Sequence, residues 1–330
     1  MSDTNSPALF PLEPDPAPET AGRAGSSAAP RVPQVNYRVG DRDFKYYIFD
    51  WDDNILHMPT YIHLERRLED GTWIPHLVST SLYAVIRSDT VNYRPPGGDW
   101  NRAFVEFRDF ATDDESKFLK DTRTALDRLL SGIEKPPPSF GTFRRTIVDG
   151  RIFAIVTARG HQSVTLRRGV EMFIDRVLTD DERRRMIANL RGYIACFDNE
   201  EEGIAMTDEQ VLSYYLDLNR YHAVTSPQFE RLIEGKVPDP ESSETRKQFA
   251  IRDFIEHVFQ IIDSIGVHRP ISVGFSDDDP ANVRAVSEYI REELGRRFPA
   301  VKFVVYDTSD PTLEKGHKVV ISGQLDLGLL

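Results

Sequence analysis

Carboxylates gather where two apolar runs stop. Phe44-Lys45-Tyr46-Tyr47-Ile48-Phe49 ends in Asp50-Trp51-Asp52-Asp53-Asn54, and Ile271-Ser272-Val273-Gly274-Phe275 runs into Ser276-Asp277-Asp278-Asp279-Pro280. A third run, Ile152-Phe153-Ala154-Ile155-Val156, stops at Thr157-Ala158-Arg159-Gly160. Carboxylates brought to one place raise one another's pKa unless a cation sits between them. Hard oxygen donors of this kind suit Mg²⁺, which keeps several waters and takes few protein ligands. Asp50 and Asp52, two apart on an irregular turn, can divide the work of a group transfer. One attacks an electrophile, since carboxylates are nucleophiles toward phosphorus. The other protonates the leaving oxygen and later takes a proton from water. The metal and a lysine would neutralise charge on the transferring phosphoryl group, and the Thr157 hydroxyl would hold a phosphate oxygen.

These residues need elements that bring them together. Each apolar run reads as a buried strand. A further strand is expected over Tyr193-Ile194-Ala195-Cys196-Phe197, stopping at Asp198-Asn199, and another over Lys302 to Tyr306. Helical spacing covers residues 100–131, 162–191, 247–265 and 280–297. Strands alternating with helices predict an α/β fold with a parallel sheet covered on both faces. Ligands bind at the carboxyl ends of such strands, where these residues stand. Two extended runs, Tyr61 to Arg67 and Trp73 to Thr80, flank Leu68-Glu69-Asp70-Gly71-Thr72, a hairpin signal.

Composition bounds the function. The chain has 330 residues, 40% hydrophobic and 28% charged, and a net charge of −12. Such a surface repels polyanions, although the Arg-rich stretch 159–191 leaves a nucleic-acid partner open. The one cysteine, Cys196, admits neither an internal disulfide nor a cysteine-rich zinc site and is expected as inert core. No stretch is apolar enough to span a bilayer and no signal peptide is evident, so a cytoplasmic protein is expected. Residues 1–34 carry seven prolines and few large apolar groups, and read as a disordered tail.

Asp50-Trp51-Asp52-Asp53-Asn54-Ile55-Leu56 resembles motif I of the haloacid dehalogenase-like (HAD) hydrolases. Ile155-Val156-Thr157-Ala158-Arg159-Gly160 is similar to motif II, and Phe275 to Val283 to the motif IV variant with adjacent aspartates. The resemblance implies a Rossmann-like core over 35–56 and 140–330, a cap inserted over 57–139, and a second insertion over 200–246. It implies a Mg²⁺-dependent phosphomonoester hydrolase acting on a small phosphorylated metabolite. Asp50 matches the nucleophile, and Asp52 the general acid/base whose carbonyl also ligates the metal. Thr157 matches the phosphate-binding hydroxyl, and Asp277 with Asp278 the metal ligands. Lys247, opening the helix before motif IV, matches the motif III lysine, with Lys236 as the alternative. The motif IV pair could also be Asp278 and Asp279.

Bland readings stand beside these. Asp279 is expected to cap the following helix, and His57 and His63 to lie at the surface or in a cap. Arg159 either touches a substrate phosphate or pairs with an acidic side chain. Arg167, Arg168 and Arg183 to Arg185 read as a solvated helix face. Trp51 is expected near the site entrance. A nucleic-acid end-processing phosphatase and a non-catalytic binding protein are the alternative functions; the oligomeric state is not legible.

Overall fold

The computed structural model describes residues 43–197, 205–236, 242–266, 270–310, 312–313 and 315–322. The expected tail over 1–34, the start of the core near residue 35 and the Asp198-Asn199 strand end lie outside the described residues. Along the chain run β1 (Phe44–Phe49), β2 (Ile62–Arg67), β3 (Trp73–Val78), α1 (Thr80–Ile86), β4 (Tyr93–Arg94), α2 (Trp100–Ala103) and α3 (Lys117–Leu130). Then come α4 (Phe140–Val148), β5 (Phe153–Thr157), α5 (Ser163–Val177), α6 (Asp180–Phe197), α7 (Asp208–Leu218), β6 (Arg220–Ala223) and α8 (Pro227–Ile233). Last are α9 (Ser243–Ile265), β7 (Ile271–Asp277), α10 (Pro280–Tyr289), β8 (Val301–Asp307) and β9 (His317–Ser322).

The molecule is mixed α/β. Its main sheet has six strands in the order β6-β5-β1-β7-β8-β9, all parallel except β9. Parallel strands are buried on both faces, which is why β1 and β5 read as continuous apolar runs. Alternate β1 side chains enter different cores. Tyr47 and Phe49 pack with Phe143, Phe153, Phe173 and Leu190. Tyr46 and Ile48 pack with Phe254, Ile255, Phe275 and Val286 on the other face.

Between β1 and β5 in sequence, an antiparallel sheet β3-β2-β4 buries its own cluster of Ile62, Leu64, Val78, Ala103 and Phe107. The expected hairpin is its centre: Gly71 (φ 84°) supplies the left-handed turn, and Arg67 pairs with Trp73.

Some elements differ from the sequence expectation. Residues 193–197 end α6 rather than forming a strand. Met186, Leu190 and Ile194, spaced by four, form its buried face, while Cys196 is exposed rather than core. The strand that flanks β5 on the side away from β1 is β6, inside the stretch expected as a second insertion. The 100–131 helix breaks into α2, a 3₁₀ turn over Val105–Phe107, and α3. The 162–191 helix breaks at Leu178, and Thr179 and Glu182 cap α6 reciprocally. Among the described residues no helix is long and apolar enough to cross a membrane.

Candidate active site

β1 and β7 are neighbours in register, with Phe49 opposite Ser276, so both strands end one residue later in an aspartate. The Asp50 N–H donates to the Ser276 carbonyl at 3.0 Å, closing that end of the ladder. Both carboxylates are buried, and one ammonium joins them. Lys247 Nζ donates to Asp50 Oδ1 at 3.0 Å and to Asp277 Oδ2 at 2.7 Å. Lys247 points inward because it begins the buried stripe of α9, followed by Ile251, Phe254, Ile255, Val258 and Ile262. Lys236 is exposed. Burial works against the Lys247 charge, but Asp277 and Asp50 outweigh it and hold the ammonium above the usual lysine range. Burial pushes the Asp50 carboxyl up to about 7, against the pull of Lys247 and with help from Asp277 and Asp52.

The side chains separate the three aspartates that follow Ser276. Asp277 Oδ1 accepts from the Asp279 N–H at 3.0 Å and from Asn282 Nδ2 at 3.1 Å, which fixes the carboxylate plane. Asp278 makes no hydrogen bond or ion pair among the described residues. Burial, then Asp277, Asp50 and Asp53, raise its carboxyl well above the usual range. Asp279 caps α10, accepting from the Ala281 N–H at 2.8 Å with Pro280 behind it. Asp277 and Asp278 are therefore the pair that faces Asp50 and Lys247.

Asp52 meets Arg159. The guanidinium donates through Nε to Oδ2 at 2.7 Å and through Nη2 to Oδ1 at 2.5 Å, a bidentate fork with its donors buried. The structure contains the carboxylate pairing expected as one of the two readings of Arg159. Thr157 is 1% exposed at the end of β5, and its Oγ1 accepts a 3.4 Å hydrogen bond from the Arg159 N–H. Trp51 is 0% exposed, packed on Phe118 and Phe143, so it is core rather than an entrance residue.

The rim of the site is tied to the segment between β1 and β5. Asp53, at φ 50°, adopts a left-handed conformation unusual for a non-glycine residue. Its carboxylate accepts from Thr80 Oγ1 at 2.6 Å and meets His57 Nδ1 at 2.8 Å. That hydrogen bond raises the His57 pKa despite burial. His63 meets Glu106 instead, at 2.8 Å. Arg87, which ends α1, pairs with Asp279 at 3.1 Å. The arginines of the Arg-rich helices are taken up by carboxylates: Arg167 pairs with Glu171 and Asp217, Arg183 with Asp175, and Arg184 with Asp181.

Sequence reasoning passed over Asn54, Thr60 and Asp121. Asn54 is fully buried; its Nδ2 donates to the Asp50 carbonyl at 3.0 Å and to Ser276 Oγ at 3.0 Å, and its Oδ1 accepts from Thr308 at 2.9 Å. It locks the Asp50 turn to the ends of β7 and β8. Its position directly after the acidic turn was the available signal. Thr60 and Asp121 had none, because their roles depend on contacts distant in sequence.

Among the described residues no three His, Cys, Asp or Glu side chains converge closely enough to hold a metal ion by themselves. The donor chemistry nevertheless fits a hard divalent cation. Asp50, Asp277 and Asp278 share one neighbouring ammonium, and Mg²⁺ binds through one or two carboxylates with water completing its shell. A scan of family models and searches of curated proteins and solved structures returned no match to this chain.

Proposed function

We propose that this chain is a phosphomonoester hydrolase of the HAD type, working through an aspartyl-phosphate. The observation that carries this reading is the meeting of Asp50, Lys247 and Asp277 at the carboxyl ends of two neighbouring parallel strands. Asp52, on the turn after β1, and Thr157, the last residue of β5, lie beside them.

The roles follow from the atoms. Lys247 holds Asp50 Oδ1, which leaves Oδ2 without a hydrogen bond among the described residues. Oδ2 attacks phosphorus in line, a P–O bond forms to Asp50, and the bond to the leaving oxygen breaks. Asp52 gives that oxygen a proton. It then takes one from the water that attacks phosphorus, and Asp50 is released with inorganic phosphate. The Thr157 hydroxyl and the Lys247 ammonium hold the phosphoryl oxygens as charge shifts. Asp50, Asp277, Asp278 and the Asp52 carbonyl would hold a Mg²⁺ ion, which would neutralise phosphoryl charge.

In this reading residues 57–139 form the cap and the main sheet is the core. The contacts of α1 with Asp53 and Asp279, on both sides of the carboxylates, support a lid over a small phosphorylated metabolite.

The test is phosphate release by the full chain with Mg²⁺ from a panel of phosphorylated metabolites and of 3′- and 5′-phosphorylated oligonucleotides. Turnover of a metabolite should fall below about a thousandth in Asp50→Asn while the fold is retained. It should also stop on chelation by EDTA. Substantial turnover by Asp50→Asn, or activity that survives chelation, rejects the assignment. Preferred turnover of an oligonucleotide, falling steeply with salt, would move the reading to nucleic-acid ends.

A further inference from the structure

Asp52 is connected to the 57–139 segment by a buried polar chain. Arg159 forks onto the Asp52 carboxylate, and its Nη2 also donates to Thr60 Oγ1 at 2.7 Å. Thr60 Oγ1 in turn donates to Asp121 Oδ2 at 2.7 Å. The other Asp121 oxygen accepts from Lys117 Nζ at 2.7 Å. Arg159 is 0%, Thr60 1% and Asp121 4% exposed. Two aromatic rings from the same segment close on the guanidinium, with Phe107 at 4.7 Å and Phe118 at 5.2 Å from ring centroid to Cζ.

The chain has a fixed direction. A threonine hydroxyl has one proton, and Asp121 takes it, so the Thr60 lone pairs must face Arg159. The fork in turn fixes the plane of the Asp52 carboxyl, which otherwise rotates broadly about its last torsion. Each Asp52 oxygen keeps a further lone-pair site, so the group can still exchange a proton with a substrate.

We propose that Arg159, Thr60 and Asp121 are positioning residues that aim Asp52 at the leaving oxygen. Residues 57–139 then supply part of the proton-transfer apparatus as well as covering the site. This rests on the phosphatase reading above and adds to it a dependence on the leaving group. An alkoxide leaves phosphorus only if it is protonated as the bond breaks. A nitrophenolate leaves without that help. Damage to the aim of Asp52 must therefore appear on alkyl esters and spare activated aryl esters.

The experiment compares kcat and KM for glycerol phosphate and p-nitrophenyl phosphate in the full chain, in Thr60→Val, Thr60→Ser and Arg159→Lys, and in the exposed control Arg123→Ala. Thr60→Val should lower kcat for the alkyl ester by about 10- to 100-fold and for the aryl ester by less than about 3-fold, with KM little changed. Thr60→Ser should restore the alkyl activity, and Arg123→Ala should match the unaltered chain on both esters. If Thr60→Val does not fold, Arg159→Lys, which keeps the charge but loses the fork, must show the same selective loss. Equal losses on both esters, or no rescue by serine, overturn the inference alone. An unaltered chain that turns over neither ester nor any metabolite of the panel overturns the phosphatase reading, and the inference with it.

Discussion

Three carboxylates and one ammonium define the centre of this molecule, and the ammonium belongs to Lys247. Removing one partner of a buried ion pair leaves the other charge uncompensated. Lys247→Met should therefore destabilise the chain by about 3–5 kcal/mol, read from urea unfolding midpoints. A midpoint unchanged from the original chain would mean that Asp50 and Asp277 do not depend on it. Lys247 was legible in the sequence because it starts the stripe that Phe254, Ile255 and Val258 continue. Asp50 and Asp277 were legible because an acidic turn after an apolar strand is a local pattern. The partner of Arg159 was not. Asp52 lies 107 residues away, and nothing near Arg159 in the chain separates a substrate contact from a carboxylate contact.

Helix contacts decide how the 57–139 segment seats on the rest. α3 and α5 touch at Phe118 and Gly169, and a Cβ at residue 169 would stand 2.5 Å from Phe118 Cε1. Gly169→Ala must push Phe118 off Trp51 and off the Arg159 guanidinium. Overpacking of this kind costs about 1–3 kcal/mol, so the thermal midpoint should drop. An unchanged midpoint would show that Phe118 has room to shift. The strands of the main sheet were mostly readable from apolar runs, β1, β5, β7 and β8 among them. β6 was not, because Arg-Tyr-His-Ala is too short and mixed to carry a period. The run at 193–197 misled for the opposite reason. Five apolar residues suit a strand or a helix end alike, and only the burial of Ile194 in line with Met186 and Leu190 decides.

The strand order explains why the site lies where it does. From β1 the chain first adds β5 and β6 on one side, then returns to add β7 and β8 on the other. The carboxyl ends of β1, β5 and β7 thus border the crevice where the order reverses, the ligand position of open α/β sheets. Alternating strands and helices predicted a parallel sheet with the acidic turns at its carboxyl edge, but not this strand order, since β6 was missed and residues 193–197 were read as a strand. The antiparallel β9 and the small β3-β2-β4 sheet set the edge and the rim rather than the crevice. The proposed chemistry requires a covalent phosphoryl group on one residue of that crevice. Acid quenching of the chain during turnover of a phosphomonoester, followed by borohydride reduction and peptide mass spectrometry, reads it. Substrate-dependent conversion of residue 50 to homoserine, absent in Asp50→Asn, is the expected result; steady phosphate release with residue 50 unmodified, or the label on another residue, would contradict it.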